Sequence, residues 1–196
     1  MNEMPMSGHT WLGAAASFLG MWVVMMVAMM LPSLVPTLWR YRQAGLGRLT
    51  ALVGVGYFVV WALFGMAAYP LVVALPRALP IAVGVVVLMA GILQLTAWKA
   101  HHLACCRDAG RGAVSADAGT AWRHGLRLGL HCAKCNVGLM AILLGLGVMD
   151  LRAMAVVAAA ITVERLAPAG ERVARATGAV AVGAGMLLIA RAAGLG

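Results

Sequence analysis

Long apolar stretches divide this chain, and they constrain its fold more than any other feature. Of the 196 residues, 63% are hydrophobic and only 11% are charged. A soluble domain is nearer half apolar and a quarter charged. Stretches of about 20 apolar residues cross a bilayer as α-helices, because lipid offers no hydrogen-bond partner to an open backbone. The sequence therefore predicts an all-α, polytopic transmembrane helical bundle of about six helices.

These helices are expected to form a single integral membrane domain over residues 1–196, with no room for an appended catalytic module. No basic segment precedes the first stretch and no small-residue cleavage site follows it, so we expect a retained helix rather than a cleaved signal peptide. The fifth stretch is short and rich in alanine. The predicted helices are Phe18–Trp39, Leu52–Val73, Pro80–Trp98, Leu126–Val148, Leu151–Leu166 and Val173–Ala190.

Basic residues are concentrated in alternate connections between these segments. The second connection carries only Arg77, and the fourth only Asp150 and Arg152. By the positive-inside rule we expect a multi-pass protein of the bacterial inner membrane, with both termini extracytoplasmic. The net charge of +9 then indicates the lipid bilayer as the partner, and not nucleic acid. The basic connections hold Arg40, Arg42 and Arg48, then the loop from Lys99 to Arg123, then Arg165, Arg172 and Arg175.

With six crossings, the ends of the odd helices and the starts of the even helices meet on one side of the membrane. Many of the residues that could carry chemistry fall there, so we expect them to cluster at one end of the bundle. They are Gln94, His101, His102, Cys105, Cys106, His131, Cys132, Cys135 and Glu164.

The strongest metal-binding pattern is Cys132-x-x-Cys135, preceded by His131. Residues three apart lie about 60° from each other around a helix, so both thiols can reach one ion. At a predicted helix start, the helix dipole and Lys134 would favour the thiolate form. Met140 flanks the same face. Two ordinary buried cysteines are the structural alternative, since cysteine packs well in apolar surroundings.

Three further side chains are candidate ligands. Cys105 and Cys106 are adjacent in the third connection, where both could bind a soft ion in a flexible loop, or be palmitoylated, or have no role. Glu164 could be a hard ligand or a proton acceptor. An ion pair with Arg165 or Arg172 is the favoured interpretation for this carboxylate. We expect Gln94 to hydrogen-bond across a helix interface.

The first predicted helix contains four closely spaced methionines, two of which, Met25 and Met29, lie one turn apart. Thioethers bind monovalent copper, so such a stripe could pass a soft ion along a bundle. Methionine also packs adaptably, and a stripe at helical spacing is equally a core pattern. Pro32 and Pro36 in the same helix predict a kink.

Four parts of the chain carry motifs that occur together in one group of proteins. The chain resembles a bacterial family of predicted metal-binding integral membrane proteins, a domain-of-unknown-function family. The resemblance implies a helical membrane fold and a bound metal, and it implies little mechanism. Lys134 stands beside Cys135 where the family more often has another thiol. The motifs are Met21-Trp22 to Met29-Met30-Leu31-Pro32 with Pro36; Gly56-Tyr57-Phe58-Val59-Val60-Trp61; Ala90-Gly91-Ile92-Leu93-Gln94-Leu95-Thr96 with Lys99 and Cys105-Cys106-Arg107; and Cys132-Ala133-Lys134-Cys135 with Gly138-Leu139-Met140, Gly147-Val148-Met149 and Glu164.

Three functions remain open from the sequence. The first is a non-enzymatic protein that handles or transports a soft metal, with monovalent copper favoured over zinc or another soft ion, together with a membrane or metallochaperone partner. The second is a membrane thiol-disulfide oxidoreductase. The third is a non-catalytic assembly subunit of a larger complex. The predicted ligand set is Cys132, Cys135, His131, Met25, Met29, Cys105, Cys106, Met140 and Glu164.

Overall fold

A computed structural model describes residues 8–74, 80–111, 114, 116–146 and 150–194 of the chain. This part is helical, with no strand among the described residues, and it confirms the predicted all-α class. The predicted connection at Arg77 and the Gly147-Val148-Met149 motif lie outside it. The helices are α1 (Gly8–Gln43), α2 (Gly47–Ala74), α3 (Pro80–Leu95), α4 (Ala97–Arg111), α5 (Ala118–Leu146), α6 (Leu151–Leu166) and α7 (Gly170–Ala192).

Helix α1 runs without interruption through both of its prolines. Each proline lacks the N–H that would bond the carbonyl four residues earlier, so the carbonyls of Ala28 and Pro32 lose that partner. Ser33 lies directly after Pro32, and its hydroxyl donates to the carbonyl of Met30 at 2.8 Å. The same hydroxyl also takes part in the site described below.

The predicted loop from Lys99 to Arg123 is wrong over its first half, because α4 occupies it. A bend of 66° after Leu95 separates α3 from α4. Helix α4 is polar on average, so its composition is that of a connection. Its buried residues Lys99, Leu103 and Cys106 nevertheless recur four and three positions apart, which is the pattern of one helix face.

Helix α5 begins eight residues earlier than the predicted Leu126. Asp117 precedes its first turn, and its carboxylate accepts from the backbone N–H of Thr120 at 2.8 Å, as an N-cap does. Cys132 and Cys135 therefore lie in the middle of a helix. The prediction that they stand at a helix start, where the dipole would favour thiolates, is wrong.

Four helices of the described chain are long and apolar enough to cross a membrane, or up to five if the bent α3–α4 pair counts as one span. This is fewer than the six spans predicted. Helices α3 and α6 have only 16 residues each, about 24 Å of helix against a hydrocarbon core of about 30 Å.

Close helix packing fixes the position of the site. Helix α3 packs along α7, and α2 packs along α5. On α5, a Cβ added at Gly125 would lie 2.4 Å from the carbonyl oxygen of Val53, and one at Gly129 would lie 2.9 Å from that of Tyr57. Only glycine permits so close an approach of two helix backbones. The approach of α2 to α5 also brings Tyr57 alongside Cys132.

Candidate metal centre

Three of the four cysteines meet inside the bundle. Cys132 and Cys135 lie on the buried face of α5, and Cys106 reaches them from the buried face of α4. The Cys106 thiol lies close enough to interact with both of the others. None of the three forms a disulfide. Their partnership follows from tertiary packing, since 26 positions of sequence separate Cys106 from Cys132.

The sulfur of Cys132 accepts hydrogen bonds from three sides. The Tyr57 hydroxyl lies 3.0 Å from it, the amide nitrogen of Asn136 3.2 Å, and a guanidinium nitrogen of Arg165 3.3 Å. The Arg165 group also donates to the Ser33 hydroxyl at 2.8 Å, which ties α6 to α1. Donors that converge on one acceptor, one of them positively charged, favour an anionic acceptor. This surrounding suits a thiolate.

A buried ion pair supports the other side of the site. Lys99 Nζ lies 2.7 Å from Glu164 Oε2, and both side chains are at most 1% exposed. Gln94 donates to the second oxygen of Glu164 at 2.8 Å, so its predicted bond across a helix interface is confirmed. Lys99 also donates to the backbone carbonyl of Cys135 at 2.8 Å. One cluster of three side chains thus connects α3, α4, α5 and α6.

The predicted partners of Glu164 were wrong. Its partner is Lys99, which was assigned to a loop, whereas Arg165 points to Cys132. Adjacent residues on a helix project about 100° apart, so Glu164 and Arg165 can serve different neighbours. Lys99 precedes Leu103 by four residues and Cys106 by seven, and this helical spacing was the signal that could have placed Lys99 on an inward helix face.

The vicinal cysteines have different surroundings. Cys106 is buried among the thiols, whereas Cys105 is partly exposed and lies 3.6 Å from the His101 ring nitrogen Nε2. The prediction that the pair lies in a flexible loop is wrong, because both residues belong to α4, which directs their side chains differently. Binding of one soft ion by both thiols stays a prediction. His131 is half-buried and its ring nitrogen Nδ1 has no hydrogen-bond partner.

The methionines lie in the same hydrophobic core as the three thiols. Met25, Met29 and Met140 are all buried, whereas Met21, which continues the stripe outward, is 46% exposed. No group of three His, Cys, Asp or Glu side chains in the described part of the chain has the arrangement of a ready-made metal site. Ligating thiols must lose their protons, so metal binding would release protons from this cluster.

A cavity of about 490 Å³ lies next to the thiols, between α1, α4 and α6. Cys106 and Arg165 form part of its wall, so it gives a route to the cluster. Further lining residues are Ser33, Pro36, Thr37, Arg40, Arg107, Gly110, Arg111, Leu166 and Pro168.

One comparison with known proteins bears on this arrangement. A family model with the description "PpoB2: Copper chaperone" matches residues 19–188, which include every helix at least in part. No curated protein and no solved structure matches the chain. The matched range contains all four cysteines and the buried ion pair.

The contribution of the Lys99–Glu164 ion pair to stability can be tested by removing its negative charge. The Glu164→Gln variant should lose about 3–5 kcal/mol of unfolding free energy, because it leaves the Lys99 ammonium buried without a countercharge. Thermal unfolding of the detergent-purified protein measures this. Glu171→Gln, at an exposed carboxylate, is the matched control and should melt like the parent. Equal melting of both variants would contradict a structural role for the pair.

Proposed function

Because the chain belongs to the PpoB2 copper chaperone family, and so has a copper-related role, we propose that it is a membrane-embedded chaperone that takes monovalent copper as its cargo. Cys132 and Cys135 are the principal ligands in this proposal, and Cys106 is a third thiol that accepts and hands over the ion. The observation that carries the proposal is the meeting of three buried thiols beside a guanidinium that donates to one of them.

The buried charges favour monovalent copper as the cargo. Lys99 and Arg165 bring two positive charges and Glu164 one negative charge, so one positive charge is left over. A copper(I) ion held by two thiolates carries one net negative charge, which balances the set. A divalent ion on the same two thiolates would be neutral and would leave the Arg165 charge uncompensated in an apolar core. Uncompensated buried charges are costly.

The methionines complete the proposal as exchange ligands. Met25 and Met29 are buried in α1, in the same core as the thiols, and Met140 lies two turns beyond Cys132 on α5. Thioethers are neutral soft ligands that hold monovalent copper more weakly than thiolates do. Copper could therefore leave the thiols along α1 through ligands that add no charge of their own. Glu164 is not a ligand in this proposal, since its carboxylate is already paired with the Lys99 ammonium group.

We further propose that the protein lies in the bacterial inner membrane with its basic connections in the cytoplasm. A cytoplasmic position for all three basic connections requires α3 and α6 to cross together with the four long helices. Their shortness is tolerable where the bilayer thins or flanking basic residues extend to the interface. Cytoplasmic thiols would remain reduced, as metal capture requires.

Orientation can be tested through Cys105, the one partly exposed thiol among four free cysteines. A membrane-impermeant maleimide should label it in inverted vesicles and not in intact spheroplasts. A Cys105→Ser variant provides the background. Labelling from the outside would overturn the orientation without affecting the thiol cluster.

Copper binding tests the ligand assignment. The Cys132→Ser/Cys135→Ser variant should lose binding of monovalent copper, measured anaerobically by competition with a chromophoric chelator, because a hydroxyl is a poor ligand for a soft ion. Cys106→Ser should weaken binding, whereas Cys105→Ser is the matched control one residue away and should bind like the parent. Unchanged stoichiometric binding by the double variant would contradict the assignment.

Copper movement tests the role of the methionines. In proteoliposomes that contain a copper indicator, Met25→Leu/Met29→Leu should slow copper transfer while equilibrium binding at the thiols persists. Met21→Leu, at an exposed position of the same helix, should have no effect. If transfer by the parent protein equals that of empty vesicles, and cells without the protein keep their copper content and tolerance, the assembly-subunit interpretation replaces this one.

A further inference from the structure

The cavity that leads to Cys106 is strongly basic. Arg40, Arg107, Arg111 and Arg165 all line it, and its described lining residues include no Asp or Glu. Several of these guanidinium groups are held in place: Arg40 donates to the Gly110 carbonyl at 2.9 Å, and Arg107 donates to the carbonyls of Arg165 and Ala167. Arg165 donates to Ser33, so three of the four guanidinium groups are held by hydrogen bonds, and the exposed Arg111 at the end of α4 adds the fourth positive charge.

Such a cavity repels a bare metal cation and attracts anions. Like charges a few ångströms apart cost several kcal/mol at the dielectric of a protein surface. A cleft lined by one sign of charge concentrates ligands of the opposite sign and raises their association rate. Guanidinium groups also present planar pairs of donors that match carboxylates. An ion destined for the thiols through this cavity must therefore arrive inside an anion.

We propose that this cavity receives copper as an anionic complex with a small thiol that carries carboxylates. This inference rests on the proposed function and specifies its substrate. A volume of about 490 Å³ fits a small-molecule complex, since such sites measure about 300–1,000 Å³. A folded partner domain would not enter it. The arginines hold the carboxylates while the copper faces Cys106.

The transfer is an exchange of sulfur ligands. A bond forms between copper and the Cys106 sulfur as a bond between copper and the departing thiolate breaks. The proton of the Cys106 thiol passes to that thiolate, so charge balances, and copper stays monovalent throughout. Cys132 then displaces the remaining small thiolate, which leaves with the Cys132 proton. Cys135 displaces Cys106, which takes up the Cys135 proton, so copper ends on the two thiolates of Cys132 and Cys135.

The test compares donors that share one thiol chemistry and differ in charge. Copper(I) is supplied anaerobically to the full-length protein in detergent as its complex with N-acetylcysteine, N-acetylcysteine amide or cysteamine, which carry carboxylate, neutral amide and ammonium groups. Loading is followed by stopped-flow absorbance of the copper–thiolate bands. The carboxylate donor should load roughly tenfold faster than the ammonium donor at low ionic strength, and the difference should shrink with salt.

Variants then locate the effect in the cavity. Arg111→Gln should slow the carboxylate donor and leave the ammonium donor equal or faster, while Arg111→Lys, which keeps the charge, should retain most of the rate. Arg48→Gln removes the same charge from an exposed position outside the cavity lining and should change nothing. Equilibrium copper binding should be the same in all three variants.

The outcomes separate this inference from the proposed function. If all three donors load the parent at equal rates, or if Arg48→Gln slows loading as much as Arg111→Gln, the anionic-complex inference is overturned while copper binding stands. If no donor loads copper onto the thiols, the proposed function itself fails. Faster loading of the carboxylate donor with selective loss in Arg111→Gln supports the inference.

Discussion

The ion pair between Lys99 and Glu164 is the interaction on which the rest of this bundle depends. Two charges withdrawn from water are stable only if they meet each other and their remaining hydrogen-bonding positions are filled. Here Gln94 fills one carboxylate oxygen, and the Cys135 carbonyl accepts a second bond from the ammonium group. These contacts join α3, α4, α5 and α6 at one point. The bend after α3 is thereby fixed, and with it the helix that delivers Cys106.

Helix α6 is short, yet it organises the centre from both sides. Glu164 anchors Lys99, and the next residue, Arg165, turns to the sulfur of Cys132 and to Ser33 on α1. A single helix end therefore positions the backbone near Cys135 and the charge near Cys132. The charges and the thiols are therefore coupled, because removing either the Glu164 carboxylate or the Arg165 guanidinium changes the electrostatic balance of the ion pair and of the thiol cluster.

The sequence was informative where the physics is local. The apolar stretches predicted the helical class, and the spacing of Cys132 and Cys135 predicted their common face. Prediction from the sequence failed where tertiary contacts decide which side chains are buried. Helix α4 carries enough charge to resemble a loop, so Cys106 and Lys99 were placed outside the helices, although their spacing matches a helix face. Nothing local distinguishes a lysine that will meet a carboxylate 65 positions away from one that faces solvent. The contact between Arg165 and Cys132 could likewise not be predicted, because it depends on the relative position of α5 and α6.

Charge also gives the proposed chaperone a direction. The opening beside Cys106 is lined by arginines and admits anions, the thiol centre retains one positive charge to balance a copper bis-thiolate, and the methionines of α1 are neutral. In this proposal, copper that passes from the two thiolates to thioethers leaves two anionic sulfurs behind, and Arg165 remains beside that of Cys132 to stabilise it. The ion itself then moves as a cation, which the arginines at the opening repel. In the proposed function, return through the cavity would therefore be opposed by the groups that favour arrival of an anionic complex, and release along α1 would be the electrostatically easier route.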